Sequence, residues 1–288
     1  MKKKTLSSEY PFAIGIPAVI WQILFFYAPL LLLLVGSFLT WSDTNTFTGV
    51  SLDKFTFFFR GSYLSVIASS LLLALSNSII CFLIAYPLAY FMAFKGRKWQ
   101  NLLLFFLIVP FWTNFLLHVY AWFFVLEREG FLNTLLQWLG ITSEPIIFLN
   151  STFATMVMMV YYYMPFILLP MYSSLEKFDV KLIEASYDLG ASWLQTLRKI
   201  VLPLCSRGIK TGFFLVFIPS FGEFAIPELM GGDRRMFVGT VVSQFILGDE
   251  TGSFGAAFTV FSCVVLLISS LALYFFIDWL LKPKATRW

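Results

Sequence analysis

The sequence predicts an all-α membrane protein with about six transmembrane helices, folded as a single membrane domain over residues 1–288. Three observations predict it: an excess of apolar residues, six apolar runs of membrane-spanning length, and a lopsided partition of Lys and Arg between the connecting segments. The composition is 59% hydrophobic and 12% charged, with a mean hydropathy of +0.82. Soluble domains carry about 25% charged residues, so this chain cannot cover a water-facing surface of ordinary polarity. Its 35 Phe and 9 Trp suit lipid contact and interfacial belts. No long polar block is present to form a second, soluble domain.

A helix rises about 1.5 Å per residue and needs about 20 apolar residues to cross the hydrocarbon core. The runs that meet this lie at 12–40, 63–94, 101–126, 152–172, 207–228 and 254–281. Helices are expected throughout, because backbone groups in lipid must bond within their own segment. The first run follows Lys2, Lys3 and Lys4 and is too long for a cleavable signal, so it is expected to stay as a span. Pro17, Pro29, Pro87, Pro110, Pro165, Pro170, Pro219 and Pro227 fall within the runs. Each removes a helical N–H and favours a kink, either for packing or to shape a pathway that opens and closes.

Lys and Arg concentrate in cytoplasmic loops. With the N-terminus inside, 15 of the 20 basic residues fall on the cytoplasmic side. Only Lys54, Arg60, Arg128, Arg234 and Arg235 fall outside. This places both termini and the 173–206 loop in the cytoplasm. Cys81, Cys205 and Cys263 are dispersed in or beside apolar runs and read as small buried hydrophobes, with neither metal nor disulfide spacing.

The 173–206 loop is patterned rather than low in complexity. Leu182, Ile183, Ala185 and Leu189 recur at helical spacing, with Lys181, Glu184 and Asp188 on the other face. Gly190 suits a helix C-cap or tight turn. Ser192 suits the N-cap of a second short helix holding Trp193, Leu194, Leu197 and Ile200, which Pro203 is expected to stop. Two short amphipathic helices joined at a glycine can dock on a soluble partner or lie on lipid headgroups, and the pattern alone leaves both open.

The residues decide further. Glu184-Ala185-Ser186, three residues, Gly190, nine residues, then Ile200-Val201-Leu202-Pro203 resembles the Glu-Ala-Ala loop of ABC importer permeases. The departure is Ser186, where that family's pattern has a second Ala. The resemblance implies the type I permease fold, with Glu184, Ala185, Ser186, Gly190, Ile200, Leu202 and Pro203 forming a coupling element. That element would dock in a cleft of an ATP-binding subunit and transmit its closure, with Glu184 pairing a basic residue there. It also implies two copies of that subunit, a second homologous permease and an extracytoplasmic substrate-binding protein. This chain has no Walker A sequence, so it is expected to be no enzyme and to hold no cofactor, ATP and Mg being bound by the partner. Nucleic acid is not expected as a partner, and the bacterial inner membrane is the implied location.

The whole chain further resembles the permeases of spermidine/putrescine importers. The stretches that carry this are Val109-Pro110-Phe111-Trp112-Thr113-Asn114, Pro170-Met171-Tyr172-Ser173-Ser174-Leu175-Glu176, and Gly222-Glu223-Phe224-Ala225-Ile226-Pro227-Glu228-Leu229-Met230-Gly231-Gly232. Permeases for iron, sulfate and other solutes share parts of them. Glu223 is expected inside the fifth span, and an intramembrane carboxylate is costly and functional by default. Glu223 and Glu228 on an inlet would attract ammonium groups, unless Glu223 pairs internally with another helix. Ten of the 16 acidic residues, among them Asp43, Asp233, Asp249 and Glu250, fall on the outer side. Trp112, Tyr161, Tyr162 and Tyr163 are candidates for cation–π contact. His118, Asn77 and Asp278 read as hydrogen-bonding or interfacial groups. The rival reading is an ion-coupled secondary carrier, but no repeat relates the two halves and the chain offers a thin proton relay.

Overall fold

The computed structural model describes residues 10–41, 47–59, 61–231, 236–247 and 252–282. Lys2, Lys3, Lys4, Asp43, Arg60, Gly232, Asp233, Arg234, Arg235, Asp249, Glu250, Lys284 and Arg287 lie outside them. Among the described residues four helices are long and apolar enough to cross a membrane: Gly15–Phe38, Gly61–Lys95, Thr152–Glu176 and Ser253–Leu281. Counting two bent pairs as one span each brings the number to six.

The chain divides into two compact units. The first comprises residues 1–64 and 242–264. It holds α1 (Tyr10–Gln22), α2 (Ala28–Phe38), the strands β1 (Leu39–Trp41) and β2 (Phe47–Val50), and α3 (Asp53–Phe58). A π-helical turn at Ile23–Tyr27 joins α1 to α2 just ahead of Pro29. Pro29 has no N–H to offer Phe25, and the widened turn relieves the ring's clash with that carbonyl. The strands pair antiparallel with Leu39 opposite Val50. Phe58 is fully buried, packed edge-on to Tyr63 and against Phe258. Lys54 is buried beside it. Its ammonium donates to the Leu39 carbonyl and stands 5.7 Å from the Phe254 ring. Burial pushes its pKa below the ordinary lysine value.

The second unit comprises residues 65–241 and 265–288. It receives α4 (Gly61–Tyr90) from Ser65 onward, and then α5 (Gln100–Ile108), α6 (Phe115–Leu126), α7 (Phe131–Trp138) and α8 (Thr152–Glu176). After these come α9 (Lys181–Asp188), α10 (Trp193–Thr196), α11 (Leu202–Leu204), α12 (Ser206–Phe221) and α13 (Ala225–Gly231). It ends with the start of α14 (Val238–Leu247) and the latter part of α15 (Gly252–Leu281).

The core of this unit runs along α8, where Met158, Met159, Ile167 and Met171 are completely buried. Glycines let α12 approach α8. A Cβ on Gly208 would lie 2.6 Å from the Pro170 carbonyl oxygen, and one on Gly212 would lie 2.8 Å from that of Ile167. Small residues at such crossings allow close backbone approach in lipid. The bundle's polar bonds fall between helices: the Asn77 amide donates to Ser220 Oγ at 2.8 Å, and Lys210 pairs with Asp278 at 2.8 Å. Asp278 also meets Lys282 at 3.0 Å, so it is an ion-pairing group linking α12 to α15. Cys81 and Cys205 are buried, but Cys263 is exposed on the apolar flank of α15, not buried as its neighbours suggested.

Two of the expected spans are interrupted rather than merely kinked. The 101–126 run bends by 104° between Gln100–Trp112 and Phe115–Trp138. A 3-10 turn at Val109–Trp112 carries Pro110, and Asn114 then caps α6, its side chain accepting from the Leu116 N–H at 2.8 Å. The 207–228 run ends its first helix at Phe221, pauses over Gly222–Phe224, and restarts as α13.

Candidate coupling and transport sites

The 173–206 loop contains the expected helix pair, and its turn is determined at four points. Gly190 sits at φ +80°, the left-handed region that favours glycine. The Gly190 N–H donates to the Tyr187 carbonyl at 2.8 Å and the Ala191 N–H to the Ser186 carbonyl at 3.0 Å. This is the Schellman pattern of a closed helix end. Ser192 then opens α10 with a reciprocal capping box, its hydroxyl accepting from the Gln195 N–H and the Gln195 side chain from the Ser192 N–H. The fourth point joins the helices: Ser186 Oγ lies 2.8 Å from Thr196 Oγ1.

Pro203 does not stop the second helix. A π-helical turn at Leu197–Val201 precedes it, and the helix runs on through Leu204 before bending 72° into α12 at Cys205. The reason is the one seen at Pro29: the wide turn accommodates the Lys199 carbonyl that proline cannot bond. The apolar stripe also differs from the simple expectation. Ile183 is buried, but Leu182, Ala185 and Leu189 face outward, Leu189 at 89% exposure. Trp193 and Leu194 are exposed as well, and Glu184 stands among them. Ile200, Leu202 and Pro203 are half-buried where the element returns to the bundle. The pair therefore exposes apolar side chains, Leu182, Leu189, Trp193 and Leu194, interleaved with charged ones, Lys181, Glu184 and Asp188.

Glu223 occupies the break between α12 and α13, not the interior of a continuous span. One carboxylate oxygen accepts from the Ala225 and Ile226 N–H groups at 3.1 and 3.4 Å, and the other accepts from the Tyr163 hydroxyl at 2.6 Å. The two carboxylate oxygens thus accept three donors between them. Gly239 approaches the break closely, since a Cβ on it would lie 2.4 Å from the Gly222 carbonyl oxygen. Glu228 is exposed on α13.

The three consecutive tyrosines of α8 diverge, because successive helical residues turn by about 100°. Tyr161 meets His118, its hydroxyl 2.9 Å from Nδ1. Tyr162 stacks on Phe111 and meets Phe115 edge-on. Only Tyr163 reaches Glu223, which sequence reasoning did not single out, because periodicity cannot say which of three adjacent rings faces a neighbour. The other ring nitrogen of His118, Nε2, lies 2.9 Å from the Pro110 carbonyl and 2.7 Å from Thr113 Oγ1, so this residue ties the bend before α6 to α8. A cavity of about 190 Å³ opens there between Phe106, Phe111, His118, Tyr161 and Tyr162. Trp112, Glu223 and Glu228 do not line it, and Trp112 is 83% exposed. The five expected pathway residues are thus dispersed: Tyr161 and Tyr162 at the cavity, Trp112 exposed on the turn before α6, Glu223 at the break after α12, and Glu228 exposed on α13. No cluster of His, Cys, Asp or Glu able to hold a metal occurs among the described residues.

Residues 85–286 match the family described as "Binding-protein-dependent transport system inner membrane component". The spermidine/putrescine transport system permease protein PotB of Escherichia coli is 39% identical over 247 residues, covering 85% of this chain and 90% of that protein. The protein of the same name from Haemophilus influenzae is 37% identical over 265 residues, 92% of each chain. The Escherichia coli inner membrane ABC transporter permease protein YdcU is 29% identical over 87% of this chain and 84% of its own length. Among solved structures, a bacterial alginate ABC transporter in complex with an alginate pentasaccharide-bound periplasmic protein contains a chain that superposes with a TM-score of 0.70. That chain is 16% identical, with 91% of this chain and 92% of that one covered. This likeness carries the fold alone.

Proposed function

The chain belongs to the family of binding-protein-dependent transport system inner membrane components, and from that premise we propose that it is a pore-forming permease of an ATP-driven polyamine importer. It lines the path for spermidine and putrescine and contains no ATP site of its own. The single observation that carries the reading is the likeness to permeases named for spermidine and putrescine, which runs over almost the whole length of the chain.

ATP and Mg are held by two copies of a partner ATPase, which docks on the outer face of the α9–α10 pair. Glu184, Ala185, Ser186, Gly190, Ile200, Leu202 and Pro203 form the coupling element, whose continuity with α12 through Cys205 gives a docked partner a lever on the fifth span. A second, homologous permease completes the pore, and a periplasmic binding protein delivers solute. Both chain termini and the coupling element lie on the cytoplasmic side, in keeping with the positive-inside bias.

Glu223 and Glu228 favour cations along the path, and Trp112, Tyr161 and Tyr162 add cation–π contacts. A polyamine is a chain of ammonium groups on methylene stems, and a charged carboxylate held at a helix break beside aromatic rings suits both parts.

The test is uptake by the complete importer in vesicles, offered spermidine, putrescine and a neutral sugar in separate assays. Uptake of at least one polyamine, with none of the sugar, is expected. Transport of the sugar with neither polyamine moving would assign the chain to an importer of another solute.

A further inference from the structure

We propose that Ser186 and Thr196 act as a hydroxyl lock that makes the coupling element a single rigid elbow, so that motion of a docked partner reaches α12 undamped. This rests on the coupling reading above and adds a positioning role to it.

The two helices of the element are short. The α9 helix has eight residues, and α10 is the first turn of a helix that continues only to Leu204; helices of such length are marginal on their own in water. Their mutual angle must therefore be set by the turn and by contacts across it. The backbone of the turn is closed by the Schellman bonds at Gly190 and the capping box at Ser192. Those devices fix each helix end, yet neither bonds a side chain of one helix to a side chain of the other.

The Ser186–Thr196 contact does. Both residues are buried, at 4% and 2% exposure, whereas the residues around them that face the proposed partner are open. The proton inventory is consistent with a directed bond. The Ser186 hydroxyl donates to the Ile183 carbonyl at 2.7 Å, so its lone pair is free to accept the Thr196 proton at 2.8 Å. Thr196 Oγ1 also lies 3.2 Å from the Ser192 carbonyl, a second outlet for the same proton. Each hydroxyl thus keeps a backbone partner when the other is removed. Deleting either one removes the bond between the helices without leaving a buried group unpaired. It follows that the serine at the position where the motif has a second alanine is more than a tolerated small residue: it is half of a cross-link.

The experiment uses the complete importer in proteoliposomes and measures ATP hydrolysed per spermidine imported. Ser186→Ala and Thr196→Val are each expected to raise that ratio about threefold, the scale set by one neutral hydrogen bond. Thr196→Ser keeps the hydroxyl and is expected to leave the ratio at the parent value. The double variant Ser186→Ala/Thr196→Val is expected to be no worse than either single variant, since both remove the same bond. An unchanged ratio in Thr196→Val, or additive effects in the pair, would overturn the lock, even if Ser186→Ala fails to accumulate. Glu184→Arg, on the exposed face and outside the lock, separates the two levels. If it impairs transport while the hydroxyl variants do not, the lock alone fails. If it and the hydroxyl variants are all without effect, the coupling reading fails with it.

Discussion

Glu223 shows how one residue's chemistry is decided by where the helix stops. In a continuous helix its N–H and C=O would be spent internally and its carboxylate would need a partner from elsewhere. At the break it accepts from the first two backbone amides of α13 and from Tyr163 on α8. Glu223→Gln keeps the size and removes the charge, and it is expected to lower polyamine uptake about tenfold, as loss of a charged contact would, with the ATPase still co-purifying. Uptake equal to the parent would remove Glu223 from the path. Tyr163→Phe deletes one charge-assisted bond to a half-buried carboxylate. It should cost about 1.5–3 kcal/mol of stability, read as a lower unfolding midpoint in detergent. The sequence marks Glu223 because an acidic residue in an apolar run is conspicuous. It does not set Tyr163 apart from Tyr161 and Tyr162, which are chemically the same, and it does not mark the break, which has no proline at Gly222–Phe224.

At the level of elements, glycines and prolines behave according to their surroundings rather than their reputations. Gly190 is legible because a helix end at positive φ has few alternatives to glycine. Pro203 is misleading, since a π-helical turn absorbs it, and the same device operates ahead of Pro29. Pro110 does break its span, where Thr113 and Asn114 take extended backbone and Asn114 caps the next helix. Whether a proline bends, breaks or passes depends on which carbonyls nearby find other donors, and that is a tertiary fact. The α8–α12 crossing is equally tertiary. Gly212 reads as an ordinary glycine in an apolar run, yet its missing Cβ lets α12 rest on the Ile167 backbone. Gly212→Leu is expected to destabilise the chain by about 1–3 kcal/mol through overpacking, measured as a lower midpoint of thermal aggregation. An unchanged midpoint would mean that the two helices separate at little cost. Gly190→Val, with open space around it but a backbone that valine resists, is expected to spare membrane insertion and raise ATP hydrolysed per solute.

For the molecule as a whole, the apolar runs and the basic residues carry most of what the sequence discloses. The runs mark where helices lie, and the four unbroken spans fall close to them. The bends at 104° and 72° are not in the composition, because they arise from capping and from side chains such as His118 that meet only after folding. The helix Gly15–Phe38 has none of its apolar window buried within the chain, as befits a segment whose neighbours are lipid and, under the proposed assembly, the second permease. The positive-inside bias gives the proposed sidedness a direct check. A cysteine placed at Glu184, in a chain whose Cys81, Cys205 and Cys263 are replaced by alanine, is expected to react with an impermeant maleimide only from the cytoplasmic face. Reaction from the periplasmic face alone would invert the topology and remove the coupling element from reach of any ATPase.

The most direct test is to follow labelled spermidine entering vesicles that contain both permeases and the binding protein, with ATP on the ATPase side, and to leave the ATPase out of a matched preparation. Accumulation that depends on the ATPase and on its hydrolysis of ATP is the expected result. Accumulation at the same rate in its absence would contradict a permease driven through the elbow between α8 and α12.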